Sequence, residues 1–188
     1  MEDVPSRSPG RPGSALRVDP VLLEAVVGVV WLTVGTLGLG ADGVGTLLLA
    51  LGIAAAAFLV VENRRAGARV FDASHSRDVL RYAAVAVVVI VVASVLLGLI
   101  SGSAYLPGVA AVATGAAFAA LSRTTGERPT LWLGSGLVVL GVLSAFVTTQ
   151  AATGFVSQGL LGLVAGIALL VSAAERVGLL AMLRDRAR

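Results

Sequence analysis

Few residues in this sequence are of a type that could do chemistry, and only one of them falls inside a long apolar stretch. That residue is Glu24, in the run Val21-Leu22-Leu23-Glu24-Ala25-Val26-Val27. A carboxylate is costly in hydrocarbon, so Glu24 is the first candidate for a functional, protonatable group. The bland alternative is stronger. In the first turn of a helix, Glu24 can reach the headgroup region, pair with Arg17, Arg81 or Arg176, and meet the positive end of the helix dipole. Asp42 precedes Gly43 in a short connector, where an Asp suits a tight turn. His75 stands between Ser74 and Ser76. A single His without Cys cannot assemble a zinc site, and it reads as a solvated loop residue. The uncharged polar residues Thr148, Thr149, Gln150, Ser157 and Gln158 gather around one connector. Gln150 and Gln158 could line a shallow polar vestibule there, although capping of helix ends is the favoured role. Ser94, Thr114, Ser135, Ser144 and Ser172 can bond back to their own helices and need no further function.

The wider inventory points away from catalysis. The chain has no Cys, which removes disulfides, thiolate nucleophiles and thiolate metal sites. The Gly-rich stretch LGSGLVVLG has neither the Walker lysine nor a strand before it, so it is not a phosphate loop. No HExxH, GxSxG or paired-carboxylate arrangement occurs. The expectation is a protein that is not an enzyme and that uses no cofactor or metal.

Composition says what must position these few residues. The 188 residues are 57% hydrophobic and 13% charged, with a mean hydropathy of +0.94. Soluble domains carry about 25% charged residues, so much of the usual charge is missing. The apolar residues come in blocks of about twenty, the length that crosses the ~30 Å hydrocarbon core as a helix. Six blocks qualify: 21–40, 44–61, 82–100, 104–121, 130–149 and 155–174. Each is continuously apolar rather than alternating, which favours helices over a barrel. The fold class expected is an all-α integral membrane protein of six transmembrane helices arranged as three hairpins. Residues 1–20, rich in Pro, Ser, Gly and Arg, read as a disordered cytoplasmic tail. They are long and partly acidic, and no A-x-A site follows the first block, so that block reads as a retained helix rather than a secretory signal.

Orientation follows from arginine. All 14 basic residues are Arg, for which a GC-rich coding bias is the bland explanation. Arg7, Arg11 and Arg17 precede the first span. Arg64, Arg65, Arg69, Arg77 and Arg81 lie between the second and third, and Arg123 and Arg128 between the fourth and fifth. Arg176, Arg184, Arg186 and Arg188 follow the sixth. The connectors after spans one, three and five hold none. The positive-inside rule therefore puts both termini in the cytoplasm. The net charge of +3 is split among short connectors and forms no continuous basic domain, so nucleic acid is not an expected partner. The lipid bilayer is.

In lipid, helices associate through close packing rather than hydrophobic drive. GxxxG occurs at Gly98/Gly102 and at Gly162/Gly166, with small-xxx-small variants at Gly52/Ala56 and Gly115/Ala119. These could form a homo-oligomer interface or a contact with another membrane protein, but packing within a six-helix bundle is favoured. Pro107 fits the first turn of the fourth span. Trp132, Tyr82 and Tyr105 suit span ends, whereas Trp31 lies mid-span and suits packing. Residues 175–188 mix apolar residues with Arg and read as an amphipathic helical extension on the cytoplasmic surface. In the 62–81 connector, Arg64, Arg65 and Arg69 are candidate contacts for anionic headgroups.

A weak threefold repeat runs through the second helix of each hairpin, around Gly52, Gly115 and Gly166. The segments ALGIAAAAFLV, LVAGIALLVSAAE and, less closely, ATGAAFAAL resemble those of the HdeD-like acid-resistance membrane proteins, over about residues 21–176. The resemblance implies a bacterial inner-membrane protein linked to stress or acid survival, with no catalytic residues to carry over. The polar middle connector and the Arg-bearing tail depart from that pattern. Two functions are expected to compete. One is a non-catalytic membrane protein in stress response or partner binding. The other is a small transporter or channel subunit for a neutral or weakly polar solute. The nearly charge-free middle of the spans argues against a proton pump or cation exchanger.

Overall fold

Long apolar runs with helix-compatible ends build six helices, seen here in a computed structural model. The structure describes residues 19–40, 43–67, 73–150 and 154–179, with Met182 and Asp185. The helices are α1 (Pro20–Gly38), α2 (Gly43–Arg65), α3 (Ala73–Leu99), α4 (Leu106–Thr125), α5 (Arg128–Gln150) and α6 (Gly154–Val177), with a 3-10 turn at Ser103–Tyr105 before α4. All six are long and apolar enough to cross a membrane, and no strand occurs among the described residues. The chain is an all-α, multi-pass membrane protein.

Helix ends follow local chemistry. Asp19 caps α1, its Oδ1 accepting from the Val21 amide at 2.8 Å, with Pro20 in the first turn. Gly126 closes α4 with φ 70°, a left-handed conformation that favours glycine. Gly178, φ 80°, breaks the chain after α6, so the predicted extension begins with a turn rather than a continuous helix. One boundary moves substantially and another by a single residue. The connector expected over 62–81 is largely helical, because α2 runs on to Arg65 and α3 begins at Ala73. Asp19 and Pro20, expected in the tail, belong to the start of α1. Residues 1–18, Asp42 and Arg69 lie outside the described residues.

The helices pack as a line folded around two tight pairs. α1 lies along α6, and α4 lies along α5; these are the closest seams in the molecule. α5 and α4 then meet α6, α2 flanks α1 and α6, and α3 leans on α4 and the turn before it. Each sequential hairpin therefore exists, but the two tightest seams join different partners. Glycine explains both. A Cβ on Gly35 would come within 2.5 Å of the Leu163 amide nitrogen, and one on Gly166 within 2.9 Å of the Gly28 carbonyl oxygen. On the other seam, a Cβ on Gly115 would lie 2.5 Å from the Gly134 carbonyl, and one on Gly141 2.6 Å from the Gly108 carbonyl. Backbones approach where side chains are missing, the device of membrane helix packing. Between the pairs, Trp31, Phe118, Leu137, Leu161 and Leu169 fill the core with Ala111 and Ala165. Among the described residues, the backbone of α3 approaches neither α2 nor α1 closely.

Candidate functional site

α2 to α6 bring their Arg-bearing ends to the end of the bundle where α1 begins, and there a partly buried ion-pair clasp forms. Glu24 sits one turn into α1 on the face that meets α6 and is 1% exposed. Its Oε1 accepts a hydrogen bond from the Nε of Arg176, in the last turn of α6, at 2.8 Å. The same guanidinium reaches Glu127, in the turn between α4 and α5, with Nη1 2.7 Å from Oε2. Its third nitrogen, Nη2, donates to the Thr130 hydroxyl of α5 at 2.6 Å. Thr130 in turn donates to Glu127 Oε2 at 3.0 Å. All three guanidinium nitrogens are thus used, each on a different residue, as the planar fork of Arg allows. Among the described residues Glu24 Oε2 is buried with no hydrogen-bond partner; the Ser172 hydroxyl, one turn back on α6, is a polar neighbour of the carboxylate.

Two carboxylates face one guanidinium, so the clasp carries one negative charge in excess when all three groups are ionised. Arg176 joins three elements that are remote in sequence: the start of α1, the α4–α5 turn with the start of α5, and the end of α6. Breaking such a pair by removing one partner is strongly destabilising, because the other charge stays buried. A second tie holds α2 to the same end. Asn63 Nδ2 donates to Asp19 Oδ2 at 2.8 Å, while the other oxygen of Asp19 caps α1. A third joins α3 to α4, with His75 Nε2 3.2 Å from the Thr124 carbonyl oxygen. His75 is therefore a helix residue in a tertiary contact rather than the solvated loop residue expected from its neighbours.

The other sequence candidates fall as follows. Gln158 donates from Nε2 to the Ala104 carbonyl at 3.0 Å, tying α6 to the turn before α4. Gln150 ends α5. Gly162 and Gly166 both lie in the α1–α6 seam, and Gly115 lies in the α4–α5 seam. Gly98 meets nothing within 4 Å, and Gly102 lies in the turn against Leu97 and Ile100, so this GxxxG packs no helix within the chain. Arg64 and Arg65 are exposed at the end of α2, Arg65 with a loose 3.8 Å pair to Glu62. Trp31 is buried and Trp132 is 77% exposed, as their positions along the spans suggest.

Sequence reasoning missed Glu127, Thr130, Asp19 and Asn63. The Asp-Pro step before an apolar run signals a capped helix start, so Asp19 could have been found. Glu127 and Asn63 carry no such local mark. The heptad spacing of glycine, at Gly28/Gly35, Gly108/Gly115, Gly134/Gly141 and Gly159/Gly166, was in the sequence and identifies both tight seams. Comparison of this chain with protein-family models, with curated proteins and with solved structures returns no match.

Proposed function

We propose that this chain is a non-catalytic multi-pass protein of the bacterial cytoplasmic membrane that acts in stress or acid survival, with its Arg-bearing end in the cytoplasm. The observation that carries the non-catalytic part is the clasp itself. Glu24, the one carboxylate well within a span, is used to hold α1 against Arg176 rather than aimed at open space. The stress role rests on the resemblance of the second-helix segments to HdeD-like proteins. A surplus of carboxylate around one partly buried guanidinium is consistent with it, because acid neutralises carboxylates and leaves arginine charged. The protein would work by contact with another membrane component.

The competing transporter reading draws little from the geometry. Its entry point was the polar pair Gln150 and Gln158, and the Gln158 amide is spent on the Ala104 carbonyl. The glycine seams also leave no room for water between α1 and α6 or between α4 and α5.

A strain lacking the gene, challenged with acid, tests the proposal. Lost survival restored by the wild-type gene is the expected outcome, with Glu24→Gln restoring less. Unchanged survival in the deletion strain would remove the stress role. Solute uptake by proteoliposomes of the purified chain would then favour the transporter.

A further inference from the structure

The glycine seams divide the bundle into two bodies. α1 and α6 with the flanking α2 form one, and α4 and α5 with the leaning α3 form the other. The close approaches that glycine permits lie inside a body. The atoms nearest to Gly35 and Gly166 belong to α1 and α6, and those nearest to Gly115 and Gly141 belong to α4 and α5. Across the joint, backbones come together where α6 meets α4, α5 and the turn before α4, and apolar side chains fill the rest. In lipid such packing has little hydrophobic drive behind it, so polar ties across the joint carry a larger share of the hold.

Those ties stand at opposite ends. Far from the arginines, Gln158 donates to the Ala104 carbonyl, and the chain itself passes from α5 to α6 through residues 151–153. At the basic end the tie is Arg176 of α6 with Glu127 and Thr130, and the chain crosses there by the longer connector 66–72. The joint is hinged at one end and latched at the other.

The two carboxylates of the latch are placed unequally. Glu24 belongs to the same body as Arg176, and its bond joins helices that glycine already zips together. Glu127 belongs to the other body, and its side chain is 35% exposed, so water can deliver a proton to it. The charges that act on Arg176 are those of Glu24 and Glu127. Around them, Arg123 of α4, Arg128 of α5 and Glu175 of α6 are exposed. Asp19 of α1 is engaged by amides and Asn63, Glu62 of α2 by Arg65, and His75 of α3 lies against the Thr124 carbonyl.

We propose that Glu127 is the proton-operated catch of this latch. While it is ionised, it and Glu24 share one guanidinium across the joint. When acid neutralises it, Arg176 and Glu24 are left as a one-to-one pair within their own body. Thr130 then remains as the partner across the joint, and a hydroxyl holds a guanidinium less strongly than a carboxylate does. The α4–α5 body swings away from α6 at the basic end, pivoting about the Gln158 end. The tie is thus present at neutral pH and lost as pH falls. The device is independent of the stress role, because it is read on the purified chain and the stress role on survival.

The chain has no cysteine, so Leu131→Cys on α5 and Val171→Cys on α6, both exposed positions toward the basic end, can carry a pair of nitroxide labels. Val26→Cys with Ile167→Cys, also exposed, gives a control pair within one body. Distances are measured by double electron–electron resonance on the full-length protein in phosphatidylcholine nanodiscs. The pH is taken from about 7.5 to about 4, a range that includes the ordinary glutamate value of about 4.3. The expected result is a several-fold rise in a longer Leu131–Val171 distance on acidification, with the control pair unchanged. Glu127→Gln, which cannot ionise, should show the longer distance at neutral pH and no further response to acid. Glu24→Gln should keep the acid response. A distance unmoved by acid would overturn the proposal, as would a Glu127→Gln protein that stays closed at neutral pH or still responds to acid. So would a response abolished by Glu24→Gln, which would give the proton to Glu24. Glu127 stands in a turn outside the apolar core, so its substitution tests the catch even where Glu24→Gln fails to fold.

Discussion

Glu24 and Arg176 are 152 positions apart in the chain, yet the Arg176 Nε donates to Glu24 Oε1 at 2.8 Å. The carboxylate is almost wholly buried, whereas the guanidinium side chain keeps 17% of its exposure. The two residues are therefore unequal partners. Glu24 depends on Arg176 for compensation, while Arg176 also has Glu127 and Thr130.

That inequality sets an order of mutational effects. Arg176→Ala strands a buried carboxylate and should cost about 3–5 kcal/mol. Glu24→Gln keeps an acceptor for Arg176 and should cost less, about 1–2 kcal/mol. The double variant Glu24→Gln/Arg176→Ala should be less damaged than the sum of the two singles. Unfolding of the purified chain by titration with SDS measures all three. Strict additivity would show that the pair is not coupled.

The glycine seams predict a contrast among substitutions of one type. Gly35→Ala and Gly115→Ala put a Cβ against the backbone of the facing helix and should destabilise by about 1–3 kcal/mol. Gly98→Ala and Gly136→Ala meet open space and should be neutral or stabilise by about 0.4–1 kcal/mol. The same SDS titration separates the two groups. A loss at Gly98 matching that at Gly35 would instead place Gly98 in an interface between chains.

Asp19 has two tasks that conservative chemistry can divide. Asp19→Asn keeps one side-chain oxygen to cap α1 but puts an NH2 donor where Oδ2 accepts from Asn63. Asp19→Ala removes the cap and the tie to α2, and should lose about 1–2 kcal/mol. Amide hydrogen exchange in the first turn of α1 should rise in Asp19→Ala and stay near wild type in Asp19→Asn.

The arginine partition predicts that an alkaline phosphatase fused after Arg188 is inactive in cells, while one inserted at Asp42 is active. The reverse pattern would invert the proposed orientation.

How much of this was legible in the sequence depends on the range over which each feature is encoded. The spans were, because twenty apolar residues in a row have one solution in lipid. Arg176 was among the partners foreseen for Glu24, and Gly162 and Gly166 were foreseen as packing residues. The choice of seam was not. Gly98/Gly102 and Gly162/Gly166 have the same spacing, but only the second pair faces another helix, and that depends on which helices become neighbours. Glu127 was invisible for the same reason. It lies in a connector, and only the meeting of α1, α5 and α6 gives it a partly buried cation to serve. The start of α3 was misplaced because ASHSRDVLR is too polar to read as a span, although it continues the helix beyond the apolar run.

The α1–α6 seam also imposes a schedule. α1 is the first helix made and α6 the sixth, so Glu24 enters the bilayer long before Arg176 exists. From the end of α1 at Gly38 to the end of α6 at Val177 the ribosome adds about 140 residues, or roughly 7–28 s of synthesis. The α4–α5 pair can zip as soon as it emerges. α1 must wait, its carboxylate protonated or kept at the headgroups. A chain halted before Arg176 lacks the guanidinium that compensates Glu24 in the folded bundle. The clasp therefore cannot close until α6 has been made, which places the α1–α6 seam after the α4–α5 seam in the order of assembly.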